Sequence, residues 1–107
     1  MSGNEFESAI AAEIYKQLKA IGFNGSLYHL RTHDGKEIDI LLETENGYIP
    51  IEIKMTANVT RKDAKHLFKL DEILDKPVIK SFVLSNDHDI KTFGDSIIAM
   101  PAAMFLS

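Results

Sequence analysis

The sequence predicts one α/β domain that is built around a central mixed β-sheet. A chain of 107 residues is the right size for a single domain. Apolar residues recur at helical spacing near the N-terminus, whereas they alternate with polar residues on both sides of Asn46-Gly47. A further helical segment separates the third and fourth predicted strands, which implies that these two strands pair in parallel. The predicted order of elements is α-β-β-β-α-β-β.

The N-terminal half is predicted to contain one helix and three strands. The helix runs from Asn4 to about Ile21, and Gly22 ends it. Strands are predicted at residues 27–32, 36–43 and 48–55, where apolar and polar residues alternate. The Asn46-Gly47 pair between the last two strands is the strongest hairpin signal in the chain.

The C-terminal half is predicted to contain a second helix and two short strands. Thr60 and Asp63 form a capping-box pattern at the start of this helix, and Lys76-Pro77 ends it. Apolar runs at 78–84 and 96–100 are predicted to be strands, and residues 101–106 a terminal helical turn.

The composition excludes several classes of protein. Hydrophobic residues make up 45% of the chain and charged residues 26%, which is ordinary for a globular domain. No apolar run approaches the ~18 residues of a membrane span, and the polar, acidic N-terminus does not resemble a signal peptide. Without cysteine there is no disulfide or thiolate metal site, and we expect a cytoplasmic protein. The net charge of −4 argues against strong nonspecific binding of nucleic acid.

Two carboxylates and one ammonium group are predicted to share a face of the hairpin. If Asn46 and Gly47 form the loop, Asp39 lies opposite Lys54, and Glu52 lies on the same face. The isoleucines of both strands then occupy the other face. Such a cluster of charge is costly unless a ligand compensates it.

The first helix contributes a third carboxylate. Glu7 lies about 40° from the centre of the apolar stripe that contains Ile10 and Ile21, at ~100° per residue. A carboxylate on a core-facing stripe needs a partner, which either a metal ion near the sheet or Lys54 would provide.

These residue types match the chemistry of a divalent cation. Mg²⁺ takes oxygen ligands, so we expect Mg²⁺ or Mn²⁺ to be bound by Asp39, Glu52 and the carbonyl of Ile53. The metal would lower the pKa of a bound water. Lys54 would orient or deprotonate the attacking water, or stabilise developing charge, and Glu7 would position a water on the metal.

Simpler interpretations of the same residues remain open. Asp39 and Lys54 on adjacent strands also fit a plain surface salt bridge, which is worth less than ~1 kcal/mol. Arg31 and Lys62 are candidate contacts for substrate phosphates, whereas a solvated surface is the favoured interpretation, because Asp63 and Asp71 interrupt the basic side of the second helix. The histidines show no metal-ligand spacing and are interpreted as structural or exposed.

The ordered set resembles the PD-(D/E)XK nuclease superfamily. The features that carry the resemblance are Gly3-x-x-x-Glu7 on a first helix, Asp39 after a glycine, and Ile51-Glu52-Ile53-Lys54. The resemblance implies a restriction-endonuclease-like αβββαβ core and metal-dependent hydrolysis of DNA or RNA. It also implies that Asp39, Glu52 and Lys54 hold the active positions and that Glu7 is the helix acid.

A longer stretch of the chain resembles a narrower group. Arg31-Thr32-x-Asp34-Gly35-x-Glu37-Ile38-Asp39, together with Met100-Pro101-Ala102, is similar to the nuclease-like domain that follows an AAA-type ATPase module in many bacterial and archaeal proteins. Residues 1–107 would then be one domain at the C-terminal end of a longer ATPase-containing protein, because this chain has no P-loop. A catalytically silent module that binds or regulates the ATPase is the alternative.

Overall fold

The computed structural model describes residues 1–107, and a β-sheet runs through its centre. Its strands are β1 (Ser26–Arg31), β2 (Glu37–Thr44), β3 (Gly47–Lys54), β4 (Ser81–Ser85), β5 (Lys91–Phe93) and β6 (Ile97–Pro101). The helices are α1 (Gly3–Ala20), the short α2 (Ala102–Phe105), and 3₁₀ segments at Arg61–Leu67 and Leu70–Glu72.

The sheet has six strands in the order β1-β2-β3-β4-β6-β5. The pairs β1–β2 and β2–β3 are antiparallel, β3–β4 and β4–β6 are parallel, and β5 is antiparallel at the far edge. The predicted mixed α/β architecture is therefore confirmed, as is the parallel pairing of the third and fourth strands. Strand β5 was not predicted, because a three-residue segment is too short to show an alternating pattern.

Helix α1 begins with a capping box, in which Ser2 and Glu5 each accept a hydrogen bond from the other's backbone amide. The Glu5 amide donates to Ser2 Oγ at 3.1 Å, and the Ser2 amide donates to Glu5 Oε1 at 3.2 Å. Ile14 is covered by the sheet, and Phe6 and Ile10 pack beside it, whereas Ile21, which was expected on the same buried stripe, is 75% exposed because it follows the last turn of the helix. None of the helices has both the length and the apolar character that crossing a membrane requires.

The prediction of one continuous second helix is wrong. The Thr60 amide does donate to Asp63 Oδ2 at 2.9 Å, as the capping pattern predicts, but the segment that follows is 3₁₀. Lys69, at φ 61°, then interrupts it. Buried side chains recur at intervals of three, at Ala64, Leu67 and Leu70. This spacing suits the 3.0 residues per turn of a 3₁₀ helix better than the 3.6 of an α-helix.

The predicted hairpin register is also wrong, by two residues. Thr44 pairs with Gly47, so the loop consists of residues 45 and 46. The amides of Asn46 and Gly47 both donate to Thr44 Oγ1 at 3.2 Å, which stabilises the turn one residue earlier than expected. Gly47 is instead the first residue of β3. Its φ is 150°, and an added Cβ would collide with the Pro77 carbonyl oxygen, so glycine is needed at this position.

The corrected register keeps the acids on neighbouring positions. Leu41 pairs with Pro50, and Ile40 with Ile51 is the last pair of the β2–β3 ladder. If the same register is extended by one residue, Asp39 lies opposite Glu52 rather than opposite Lys54. A shift of two residues preserves which face each side chain occupies, so the predicted neighbourhood survives the error.

Each face of the sheet is covered by its own apolar cluster. We call these the α1 side and the 3₁₀ side. The α1 side comprises Ile14, Ile40, Leu42, Ile51, Ile53, Leu84 and Ala102. The 3₁₀ side comprises Ile38, Leu41, Tyr48, Val59, Ala64, Leu67, Leu70, Val83, Ile97 and Ala99.

Candidate functional site

A β-bulge in β2 shapes the candidate site. Tyr28 of β1 pairs with Leu41, whereas Leu30 pairs with Ile38. One residue of β1, His29, therefore faces two residues of β2, which are Asp39 and Ile40. The bulge moves Ile38 to the 3₁₀ side while Ile40 stays on the α1 side. The expectation that these isoleucines share one face is therefore wrong, because a bulge re-aims the side chains around it.

Asp39 and Glu52 bind each other's strand where the ladder ends. The Asp39 amide donates to Glu52 Oε1 at 3.0 Å, and the Ile53 amide donates to Asp39 Oδ2 at 2.8 Å. Ile53 would otherwise continue the ladder opposite Ile38. The two carboxylates thus replace backbone pairing at the point where β2 and β3 separate, and the structure brings them together as predicted.

Glu52 is a carboxylate in the interior, with 4% of its surface exposed. It lies beside Val83 of β4, which belongs to the cluster on the 3₁₀ side. Burial is the main reason that its pKa is raised to about 8, and repulsion by Asp39 adds to it, while the bond from the Asp39 amide opposes it. In the protein alone, Glu52 is therefore largely protonated at neutral pH.

Glu7 reaches the Asp39 carboxylate from α1. Its pKa is raised to about 7, first by loss of solvation and then by hydrogen bonding and repulsion with the Asp39 carboxylate. Lys54 acts in the opposite direction. Glu7 therefore lies next to Asp39 and is half-buried.

Lys54 lies near the acids without pairing with them. Its positive charge lowers the pKa of both Glu7 and Glu52, yet none of the ion pairs in the structure includes Lys54 or Asp39. The simple Asp39–Lys54 salt bridge is therefore not formed. We call Glu7, Asp39, Glu52 and Lys54 the carboxylate site.

The carboxylate site offers oxygen ligands that a hard cation uses. The Asp39 amide donates to Glu52 Oε1 and the Ile53 amide donates to Asp39 Oδ2, so the other oxygen of each carboxylate accepts no backbone amide. The amide of Ile53 faces Asp39, and the carbonyl of a strand residue points to the same side as its amide. Two carboxylates and one carbonyl suit Mg²⁺, which keeps several waters. No cluster of three or more His, Cys, Asp or Glu side chains is arranged to hold a metal ion.

Sequence analysis missed two residues that border this site. His29 Nδ1 lies 3.4 Å from the Asp39 carbonyl oxygen, and its Nε2 lies 3.4 Å from Glu37 Oε1. The charge of Glu37 also contributes to the raised pKa of Glu7. No motif marks these residues; the bulge brings them to the site, and its position was not predicted.

The two predicted phosphate contacts lie outside the carboxylate site. Arg31 Nη2 contacts Glu37 Oε1 at 3.3 Å, and 71% of the Arg31 side chain is exposed. Lys62 is exposed on the first 3₁₀ segment and makes no hydrogen bond or ion pair. Arg31 therefore lies at the edge of the carboxylate site, where it contacts Glu37. Lys62 makes no contact with the acids.

The fold and the site define a mixed α/β domain with acids gathered where two central strands separate. The chain belongs to the family described as Domain of unknown function (DUF4143), whose model matches residues 2–105. No curated protein and no solved structure was found to match the chain. The family match covers nearly the whole chain, and the description of the family assigns no activity.

Proposed function

We propose that the chain is a metal-dependent nuclease domain that hydrolyses phosphodiester bonds in DNA or RNA. The observation that carries the proposal is the exchange of hydrogen bonds between Asp39, Glu52 and the opposing strands. This exchange holds two carboxylates side by side, each with one oxygen that accepts no backbone amide, in a place where no lysine or arginine forms an ion pair with them.

The order of elements supports a restriction-endonuclease-like core. Helix α1, the meander β1-β2-β3 and the parallel strand β4 follow one another as an αβββαβ core requires, with 3₁₀ segments in the position of the second helix. The similarity of the sequence to ATPase-linked nuclease-like domains supports an AAA-type ATPase module as the partner in a longer chain. A cytoplasmic location accompanies this proposal.

Mg²⁺ or Mn²⁺ would be held by Asp39 Oδ1, Glu52 Oε2 and the Ile53 carbonyl. When bound, the ion would supply a water of lowered pKa and neutralise charge on the phosphate. Glu52 must lose its proton to bind the ion, because only the ionised carboxylate is a good ligand. The raised pKa of Glu52 therefore makes metal affinity increase with pH.

The remaining residues of the carboxylate site have roles that follow from their charges. Glu7 has a pKa of about 7, so near neutral pH it can position a water and accept its proton. Lys54 stands near both Glu7 and Glu52 and is free of an ion pair. Its ammonium group is therefore available to bind the scissile phosphate and to stabilise the charge that develops on it.

An assay of nucleic-acid cleavage tests the proposal. Purified protein should cut single-stranded DNA, duplex DNA or RNA with Mg²⁺ or Mn²⁺, and chelation should stop the cutting. Asp39→Asn should abolish cleavage, whereas Glu45→Gln, which removes a carboxylate from the exposed hairpin loop, should not change it. Equal cutting by Asp39→Asn and the unaltered protein would overturn the proposal.

A catalytically silent module that regulates an ATPase is the second candidate. The net charge of −4 favours it, because nucleic acid is repelled by an acidic surface. The engagement of Arg31 with Glu37 also removes one basic group from the rim. A metal titration that shows no binding to the folded protein would favour this function over the nuclease.

A further inference from the structure

A pocket of about 310 Å³ lies beside the carboxylate site, between α1 and the ends of β4 and β6. We call it the side pocket, and its lining includes Phe6, Ile10, Ser85, Asn86, His88 and Pro101. None of the four residues of the carboxylate site lines it. The side pocket is therefore a surface that the proposed chemistry has not yet used.

Two relationships along the backbone place the side pocket next to the carboxylate site. Phe6 directly precedes Glu7 on α1. Ser85 pairs with Lys54 across the parallel ladder of β3 and β4. Neighbouring strands lie about 5 Å apart, so a chain molecule bound at the carboxylate site can extend into the side pocket.

The side pocket has no charge that is free to bind an ion. Apart from the exposed His88, Asp87 is its one ionisable residue. The Asp87 carboxylate accepts from Lys91 Nζ at 2.7 Å and from the Val59 amide at 2.8 Å. Lys91 Nζ also donates to Asn58 Oδ1 and to the Val59 carbonyl. The side pocket therefore suits an uncharged part of a ligand, because a phosphate would find no free cation there.

The lining combines two aromatic rings with a free amide. Phe6 is half-buried on α1 and His88 is exposed on the turn after β4, so rings from two elements border the pocket. The hydrogen bonds of this turn are made by Ser85 and Asp87, which leaves the exposed Asn86 amide available as donor and acceptor. A nucleobase offers a face that stacks on aromatic rings and an edge that an amide recognises.

We propose that the side pocket binds one unpaired base of the nucleic acid, next to the phosphate at the carboxylate site. The inference rests on the proposed nuclease function and specifies a substrate that is single-stranded at this position. Its volume lies at the lower end of the ~300–1,000 Å³ of ligand sites, so one base fits rather than a base pair. A base in a duplex is stacked and paired, and it must be extruded before it can enter such a pocket.

The acidic character of the chain fits recognition through a base. The net charge is −4, so contacts with phosphates alone would give weak binding. Stacking of a base on aromatic side chains does not require charge. Binding at the side pocket should therefore change little with salt, whereas binding through phosphates weakens steeply as the salt concentration rises.

A titration with two small probes tests the side pocket without any cleavage. The full chain, labelled with ¹⁵N and free of metal, is titrated with adenosine and with ribose 5-phosphate, which has a sugar and a phosphate but no base. Adenosine should shift the amide signals of Asn86, His88 and Ala103 at low and at high salt, and ribose 5-phosphate should not. Shifts that avoid these residues, or equal shifts from both probes, would overturn the proposal.

Variants at exposed positions test the two side chains that are available to the base. His88→Ala and Asn86→Ala should fold normally, as thermal melting checks, and each should weaken adenosine binding about tenfold. His33→Ala removes an exposed histidine of the β1–β2 turn, outside the side pocket, and should have no effect. Unchanged affinity in both His88→Ala and Asn86→Ala would contradict the proposal.

Cleavage assays separate this proposal from the nuclease itself. With Mn²⁺, a single-stranded oligonucleotide should be cut faster than the same strand in a duplex. His88→Ala should raise KM for the single strand about tenfold and leave kcat unchanged. A duplex cut as fast as the single strand would overturn the base-binding role and leave the nuclease in place. Adenosine shifts at the side pocket of a protein that cuts no nucleic acid would support the base-binding role and overturn the nuclease.

Discussion

The backbone amide of Asp39 donates to Oε1 of Glu52 at 3.0 Å, across the point where β2 and β3 stop pairing. Glu52 is thereby anchored in the interior, and Asp39 in turn accepts from the Ile53 amide at 2.8 Å. Each acid therefore fixes the other's strand. The arrangement costs stability unless a cation or protons neutralise it, and this cost makes the site testable.

Glu52 should make the metal-free protein less stable as the pH rises. Its folded pKa of about 8 lies above the ordinary value of 4.5, so the folded state holds a proton that the unfolded state loses. Stability should therefore fall as the pH rises from ~5 to ~8. Denaturant titrations with a chelator present measure this, and Glu52→Gln should reduce the slope of the profile, with the part due to Glu7 remaining.

The matched control for that profile is Glu45→Gln in the hairpin loop. It removes an exposed carboxylate and should leave the dependence on pH as it is in the unaltered protein. If Glu52→Gln kept the full loss of stability at high pH, the buried carboxyl would not be its source.

Glu7 should set the acidic limb of any nuclease activity. A group that accepts a proton must be ionised, and the pKa of Glu7 is about 7. At saturating metal, cleavage by the unaltered protein should therefore rise with pH as Glu7 ionises and then level off. Glu7→Gln should lower kcat by about 10²-fold and remove the Glu7 limb, and a pH–rate profile checks both. An unchanged limb in the variant would assign the titration to another group.

The buried pair of Asp87 and Lys91 should be a main source of stability. Asp87 accepts from Lys91 Nζ at 2.7 Å and from the Val59 amide at 2.8 Å, and it is 4% exposed at the side chain. Lys91→Ala leaves the Asp87 carboxylate without its cation, so the free energy of unfolding should decrease. Urea titration measures the change, and Lys62→Ala, at an exposed unpaired lysine, is the control.

The same pair predicts a loss of stability in acid. The hydrogen bond from Lys91 holds the pKa of the Asp87 carboxyl well below its ordinary 3.8. Stability that comes from the ionised form is therefore present above the ordinary value and is lost as the pH falls below it. Asp87→Asn should weaken the protein at neutral pH and reduce this dependence on acid. A steeper acid dependence in the variant would contradict the assignment.

Gly47 should not tolerate a side chain, even though it lies in a strand. A Cβ would collide with the Pro77 carbonyl, which accepts the Tyr48 amide at 2.8 Å. Gly47→Ala should therefore destabilise the hairpin by about 1–3 kcal/mol, as measured by denaturant titration. Gly3→Ala, where an added Cβ meets open space, is the matched control. Equal effects of the two changes would contradict the close approach.

The sequence predicted helices and strands well where the periodicity of apolar residues alone determines the structure. The helix that contains Glu7 and the alternation around the hairpin needed only periodicity. The predicted hairpin register was wrong because the side chain of Thr44 stabilises the turn one residue earlier, and the Asn-Gly signal does not reveal this contribution. The prediction of a second α-helix was wrong because the buried positions of this segment recur every three residues. The bulge at Asp39 was not predicted because it becomes visible only when β1 is paired with β2.

The composition of the candidate site was easier to predict than its geometry. The grouping of Asp39, Glu52 and Lys54 was predicted from the strand register, and it survives because a shift of two residues does not change the face of a strand. Glu7 was predicted from its helical angle. The position of Asp39 opposite Lys54 was wrong, and His29 and Glu37 were missed. These depend on a bulge and on long-range pairing, which a single sequence does not encode in any short motif.

The most direct test of the account is calorimetric titration of Mn²⁺ into the purified chain and its Asp39→Asn variant at pH ~7.5 to ~8.5. The account predicts one site on the unaltered protein, with protons released as Glu52 ionises and affinity that rises with pH. Asp39→Asn should stay folded and lose this binding. If the variant bound Mn²⁺ as tightly as the unaltered protein, or if neither bound it, Asp39 and Glu52 would not form a metal centre.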